Sequence, residues 1–88
     1  MKGFTIIYSD SVKKYIKRIP RDRQINIIRK LDLLSINPKL LDIVKMSGRE
    51  NVYRVRIGSY RALFVLDFEK KSIRIEKLDT RGGIEKYY

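Results

Sequence analysis

The spacing of apolar residues divides the chain into six segments. Phe4 to Tyr8 is a short run with aromatic and β-branched members, which predicts a first strand buried on both sides or set in mid-sheet. From Ser9 the period lengthens: Val12, Tyr15, Ile16 and Ile19 recur at i, i+3, i+4 and i+7, while Lys13, Lys14, Lys17 and Arg18 fall outside that stripe. This is an amphipathic helix that Ser9 or Asp10 can cap. Pro20 stops it and can open a second helix, with Ile27, Ile28, Leu31 and Leu34 as core stripe, which runs to about Ile36 before Asn37-Pro38 ends it. The short connection predicts an α-hairpin.

Lys39 to Val44 reads as a loop, and Lys45-Met46-Ser47-Gly48 leads through Arg49-Glu50 into the stretch that organises the chain, Asn51 to Asp67. Tyr53, Val55 and Ile57 alternate with Arg54 and Arg56, the period-2 pattern of a half-buried strand. Gly58-Ser59 then supplies a two-residue loop with Gly where a type II′ turn requires it. That loop sets the register: Ile57 opposite Tyr60, Arg56 opposite Arg61, Val55 opposite Ala62, Arg54 opposite Leu63, Tyr53 opposite Phe64. One face therefore carries Tyr53, Val55, Ile57, Tyr60, Ala62, Phe64 and Leu66. The other carries Arg54, Arg56 and Arg61 together with Leu63 and Val65. A last strand, Ser72 to Leu78, alternates Ile73 and Ile75 with Arg74 and Glu76. The order strand, two helices, three strands predicts a single α+β domain over residues 1–88, two layers with the α-hairpin packed on an antiparallel sheet. If the last strand pairs beside Tyr60 to Asp67, its end carries Arg81 and the tail toward the arginine face, with Gly82-Gly83 giving the change of direction.

Charge sharpens this picture. The net charge is +11, with no His and no Cys. Disulfides, thiolate metal sites and the commonest general base are thereby removed. So large a positive charge on so small a domain implies a polyanionic partner: nucleic acid first, with an anionic membrane or an acidic protein as the other classes. Like charges opposite one another on paired strands are unfavourable, so the Arg56/Arg61 pair with Arg54 beside it calls for a counter-charge that no carboxylate in the hairpin provides. Either these arginines form a preformed phosphate site or they extend into water from a solvated face. The apolar Leu63 and Val65 among them favour a partly covered, concave surface. The ten carboxylates are scattered along the sequence, so no metal site is expected. The N-terminus lacks a signal-peptide pattern and the apolar runs are short, which points to the cytoplasm and away from a membrane.

Taken in order, YSDSVKKYIKRIP, LDLLSINP, KMSG, YRVRIGSYRALF and the tail TRGGIEKYY resemble the RelE/ParE superfamily of toxin–antitoxin toxins, on the RelE-like side, over nearly the whole chain. The resemblance implies a ribosome-dependent endoribonuclease that cleaves mRNA in the A site by attack of the nucleotide's own 2′-hydroxyl on the adjacent phosphate. It further implies that no metal or other cofactor takes part, and that an acidic RelB-like antitoxin wraps around the toxin and holds it inactive. Onto this sequence the catalytic set falls at Arg54, Arg56, Arg61, Arg81 and Tyr87, with Lys45 joining the four arginines in binding RNA. Many members carry His or Lys before the tail Arg and Tyr four residues after it; here Thr80 precedes Arg81, Glu85 stands four on and Tyr87 six on. Arginine is no plausible general base. A phenol whose anion is stabilised by guanidinium groups is a reasonable one, which makes Tyr87 the expected base and Glu85 the alternative. Two other functions fit the same fold: a non-enzymatic ParE-like inhibitor of DNA gyrase, and an inactive RNA- or ribosome-binding module.

Overall fold

A computed structural model describes residues 1–88. The elements run β1 (Thr5–Tyr8), α1 (Asp10–Arg18), α2 (Arg21–Ile36), β2 (Asp42–Lys45), β3 (Val52–Ile57), β4 (Tyr60–Asp67) and β5 (Ser72–Thr80), with 3-10 turns at Pro38–Leu40 and Gly83–Tyr87. The strands form one sheet in the order β1-β5-β4-β3-β2, and the predicted hairpin, β3 with β4, lies inside it. Its register is the one the loop dictates, from Ile57 facing Tyr60 to Tyr53 facing Phe64. Gly58 takes φ +58° and Ser59 does not share the positive region, the combination of a type II′ turn.

Both helices cover one face of the sheet. Val12 and Ile16 from α1, and Ile27, Leu31 and Leu34 from α2, are buried in one cluster with Val55, Ile57, Ala62, Phe64, Ile73 and Ile75 of the sheet. Phe64 is fully buried and stacks on Tyr53 with ring centroids 5.5 Å apart. Truncating a phenylalanine so placed costs about 3–5 kcal/mol. The first helix is pinned to the sheet at its start. Ser9 caps it, its Oγ accepting from the Val12 N–H at 3.3 Å, and the hydroxyls of Ser9 and Ser11 both donate to the Glu76 carbonyl, at 2.9 and 3.1 Å. A bulge accounts for that acceptor: Leu63 faces Lys77 and Phe64 faces Ile75, so Glu76 is the extra residue on β5.

The two-layer α+β architecture is the one expected, with a richer sheet. The segment read as a loop ends in an edge strand, β2, which extends one residue past it to Lys45 and pairs antiparallel to β3. Four residues are too few for alternation to declare itself, and pairing rather than pattern defines the strand. The first strand lies at the opposite edge instead of mid-sheet and runs parallel to β5, which makes the sheet mixed. Only its Ile6 and Tyr8 pack on the core, and Ile7 stays 46% exposed. Ile28, expected in the core stripe of the second helix, is likewise exposed. No helix is long and apolar enough to cross a membrane.

Candidate functional site

The face of the sheet turned away from the helices follows from the register. One transverse row runs Asp42, Arg56, Arg61, Asp79 across β2, β3, β4 and β5, and the next runs Val44, Arg54, Leu63, Lys77. The like-charged Arg56/Arg61 pair is thus flanked by two carboxylates from outside the hairpin. Neither forms an ion pair with it: of the 21 Lys and Arg side chains, only Arg74 (with Glu76) and Lys86 (with Asp79) have a carboxylate oxygen within 4.0 Å. Asp79 is engaged elsewhere, accepting from the Thr80 N–H at 2.7 Å and lying 3.5 Å from both the Lys86 ammonium and the Tyr15 hydroxyl. Burial, and then the Asp79 carboxylate, push the Tyr15 phenol up from its ordinary value. Arg61 donates through Nη1 to the carbonyls of Gly58 and Tyr60, at 2.9 and 2.8 Å, which fixes its guanidinium at the turn.

The tail closes over this face. The Arg81 N–H donates to the Ser59 carbonyl at 3.1 Å, bringing the tail arginine beside the turn. The glycines that follow act differently from the expectation. Gly82 is in the right-handed helical region and Gly83 is not at positive φ. What sets Gly83 apart is proximity, since a Cβ there would lie 2.6 Å from Asp79 Cγ and the Asp79 side chain would have to shift. Beyond it the 3-10 turn crosses the sheet, placing the Tyr87 ring 4.8 Å from Lys77 Nζ and the Tyr88 ring 5.6 Å from Arg54 Cζ. Lys77 and Arg54 are the two neighbours of Leu63 in one row, so the tail passes above Leu63. That is why Leu63, on the arginine face, is only 3% exposed. Ile84 of the tail is fully buried, and both lie outside the main core cluster.

Between the tail and the strands is a cavity of ≈ 320 Å³. Its walls are Asp42 and Val44 from β2, Arg54 and Arg56 from β3, Arg61 from β4, and Arg81, Glu85 and Tyr88 from the tail. Four cations face two carboxylates there. Arg54 Nη1 donates to the Tyr88 hydroxyl at 2.8 Å. The predicted residues Arg54, Arg56, Arg61, Arg81 and Glu85 are therefore brought together, whereas Tyr87 and Lys45 are not. Lys45 alternates with Val44 and stands opposite Tyr53, on the helix-covered face. Tyr87 packs against Lys77 and Lys86, because successive side chains of a 3-10 turn point about 120° apart and the next residue, Tyr88, takes the cavity. Sequence reasoning missed Asp42, Val44 and Tyr88. The first two belong to the unrecognised strand, and the third needed the phase of the tail. No three Asp or Glu side chains gather at any point of the molecule.

No protein-family model matches the chain. The protein RelE1 of Methanocaldococcus jannaschii is 30% identical over 86 residues, which cover 94% of this chain and 96% of the relative. The chain belongs to the RelE toxin family. Among solved structures, the archaeal RelE–RelB complex from Pyrococcus horikoshii OT3 matches with a TM-score of 0.78 at 26% identity, over 91% of this chain and 97% of that one. The RelB–RelE antitoxin–toxin complex from Methanococcus jannaschii matches with a TM-score of 0.69 at 27% identity, over 93% and 98%. Both neighbours are complexes of RelE with RelB, and the fold of this RelE-family chain is the one they contain.

Proposed function

We propose that this chain is the toxin of a toxin–antitoxin pair and an endoribonuclease that cleaves mRNA in the ribosomal A site, in the cytoplasm, under the control of an acidic RelB-like antitoxin. The observation that carries this reading is the cavity in which Arg54, Arg56, Arg61 and Arg81 converge beside the Tyr88 hydroxyl. Attack of a 2′-oxygen on the adjacent phosphorus builds negative charge on the phosphoryl oxygens, forms a 2′,3′-cyclic phosphate, breaks the bond to the 5′-oxygen, which leaves as a 5′-hydroxyl after taking a proton from water, and moves the 2′-hydroxyl proton to a base. Preorganised guanidinium groups stabilise that charge without proton transfer and without a metal. Tyr88, with Arg54 on its oxygen, is the base in this scheme. Glu85 on the same wall is the second acceptor, and Asp42, which lines the cavity opposite Arg56 without an ion pair to it, leaves that guanidinium free for the substrate phosphate.

The test is single-turnover cleavage on programmed ribosomes by the full chain and by Tyr88→Phe, Tyr87→Phe and Glu85→Gln. Loss of a positioned general base costs on the order of 10² to 10⁴ in rate. That loss is expected for Tyr88→Phe, with Tyr87→Phe close to wild type. Loss confined to Glu85→Gln moves the base to the carboxylate. A wild-type chain that leaves ribosome-bound mRNA intact removes the enzymatic reading and leaves the gyrase-inhibitor and binding-module readings, which a supercoiling assay separates.

A further inference from the structure

Across the tail from the arginine cavity lies a second cleft, of ≈ 360 Å³, between α1 and the end of β5. Its cations are Lys14 and Arg18 from α1, Lys77 from β5 and Lys86 from the tail. Only Lys86 has a carboxylate within ion-pair distance, Asp79 at 3.5 Å, so three of the four positive charges are uncompensated. Tyr87 stands among them, its ring 4.8 Å from Lys77 Nζ and 5.2 Å from Lys86 Nζ. Cations interleaved with an aromatic ring are what single-stranded nucleic acid binds: ammonium and guanidinium groups track the backbone, and a ring offers a face to a base. The cleft is also built on fixed elements. The two serine hydroxyls at the start of α1 hold Glu76 of β5, and the tail is held to β3 by the Arg54–Tyr88 hydrogen bond.

The two clefts share the tail as a common wall, with Tyr88 in one and Tyr87 in the other. Arg54 and Lys77 lie two strands apart in the same row, roughly 10 Å at the usual inter-strand spacing. A few nucleotides of extended strand cover such a span. We propose that the cleft between α1 and the tail is a second phosphate-binding subsite, which takes the RNA backbone a few nucleotides away from the phosphate held in the arginine cavity. The proposal rests on the reading of that cavity as an RNA site, and it gives Tyr87 the role of holding the two ammonium groups over its ring in place for the backbone.

Fluorescence anisotropy with 5′-fluorescein 2′-O-methyl oligouridylate, which lacks the attacking hydroxyl, tests it at two lengths: a dinucleotide, whose single phosphodiester can occupy only one cleft, and an oligomer of about twelve nucleotides, long enough to fill both. Lys14→Ala/Arg18→Ala, on the exposed side of a helix that alanine favours, is compared with Arg56→Gln and wild type over a range of salt. The double variant is expected to weaken binding of the long oligomer about tenfold, to lower its log–log salt slope by about 1.4, close to 0.7 for each lost phosphate contact, and to leave the short one unchanged. Unchanged affinity and slope for the long oligomer, with Arg56→Gln weakening both lengths, overturn the second subsite and leave the arginine cavity standing. Equal weakening at both lengths also overturns it, since it marks a general field rather than a site. Should neither variant alter binding, the subsite and the RNA reading of the cavity fall together.

Discussion

Arg56→Gln separates what the arginine face does for folding from what it does for chemistry. The Arg56 side chain is exposed, makes no hydrogen bond and has no ion pair within the chain. Its cross-strand neighbours are Arg61 on one side and Asp42 on the other. Each such charged pair contributes roughly 0.2–1 kcal/mol, unfavourable for the first and favourable for the second, so the two nearly cancel on substitution. The expected change in stability is within about 0.5 kcal/mol, which is less than about 4 °C in Tm for a domain of this size. Arg61→Gln behaves otherwise. It loses two charge-assisted hydrogen bonds to the turn, to the carbonyls of Gly58 and Tyr60, and exposure reduces this to a destabilisation of about 1–2 kcal/mol. For the reaction the ranking is reversed in clarity: removing a preorganised donor from a developing phosphoryl charge costs about 2.7–4 kcal/mol, or 10² to 10³ in rate. Thermal melts followed by circular dichroism and single-turnover cleavage on programmed ribosomes give both numbers. A drop of several degrees in Arg56→Gln refutes the assignment of this side chain to function alone. Cleavage near the wild-type rate refutes its place in the site.

Two further outcomes concern the fold that holds the site. The Tyr8 hydroxyl is buried without a hydrogen-bond partner, and burial, then the Asp32 carboxylate, push its pKa up to about 12 from 10.0. The folded state thus keeps a proton that the unfolded chain loses above pH 10, so this stabilisation is present below pH 10 and disappears as pH rises toward 12. Tyr8→Phe should raise stability at neutral pH by up to about 1 kcal/mol and flatten the alkaline decline in urea titrations, and an equally steep decline in the variant contradicts the account. Gly83→Ala should loosen the tail, because its Cβ cannot share space with Asp79, at a cost of about 1–3 kcal/mol. Limited trypsin cleavage after Arg81 and Lys86 is expected to quicken, and protection equal to wild type shows that Asp79 can give way.

How much of this was legible follows from how far each feature depends on distant pairing. The hairpin was readable because its register is set by two adjacent residues, Gly58 and Ser59, and strand alternation then placed Arg54, Arg56 and Arg61 on one face without further information. The same local logic found the Ser9 cap and the buried stripe of Ile27, Leu31 and Leu34. It failed wherever a residue's position is settled by a partner elsewhere in the chain. Thr5 to Tyr8 carries the composition of a buried strand but lies at an edge because its only neighbour is β5. Asp42 to Lys45 is a strand only because β3 offers it a ladder, and with that ladder come Asp42 and Val44, two walls of the cavity.

The tail shows why the cavity is lined by Tyr88 and not by the tyrosine expected from the sequence. Tyr87 and Tyr88 are neighbours in sequence, and a shift of one residue in the phase of a 3-10 turn exchanges them. That phase is settled by Ile84 burying itself and by Gly83 passing against Asp79. Asp79 in turn is the residue that faces Arg61 across β4 and β5 yet holds Lys86 and the Thr80 N–H instead. The carboxylate that would otherwise neutralise the arginine pair is therefore spent on ordering the tail that closes over it. The same tail carries Glu85 and Tyr88 into the cavity, so one interaction both leaves the guanidinium groups without a carboxylate partner and brings these two side chains beside them, the arrangement on which the proposed reaction depends.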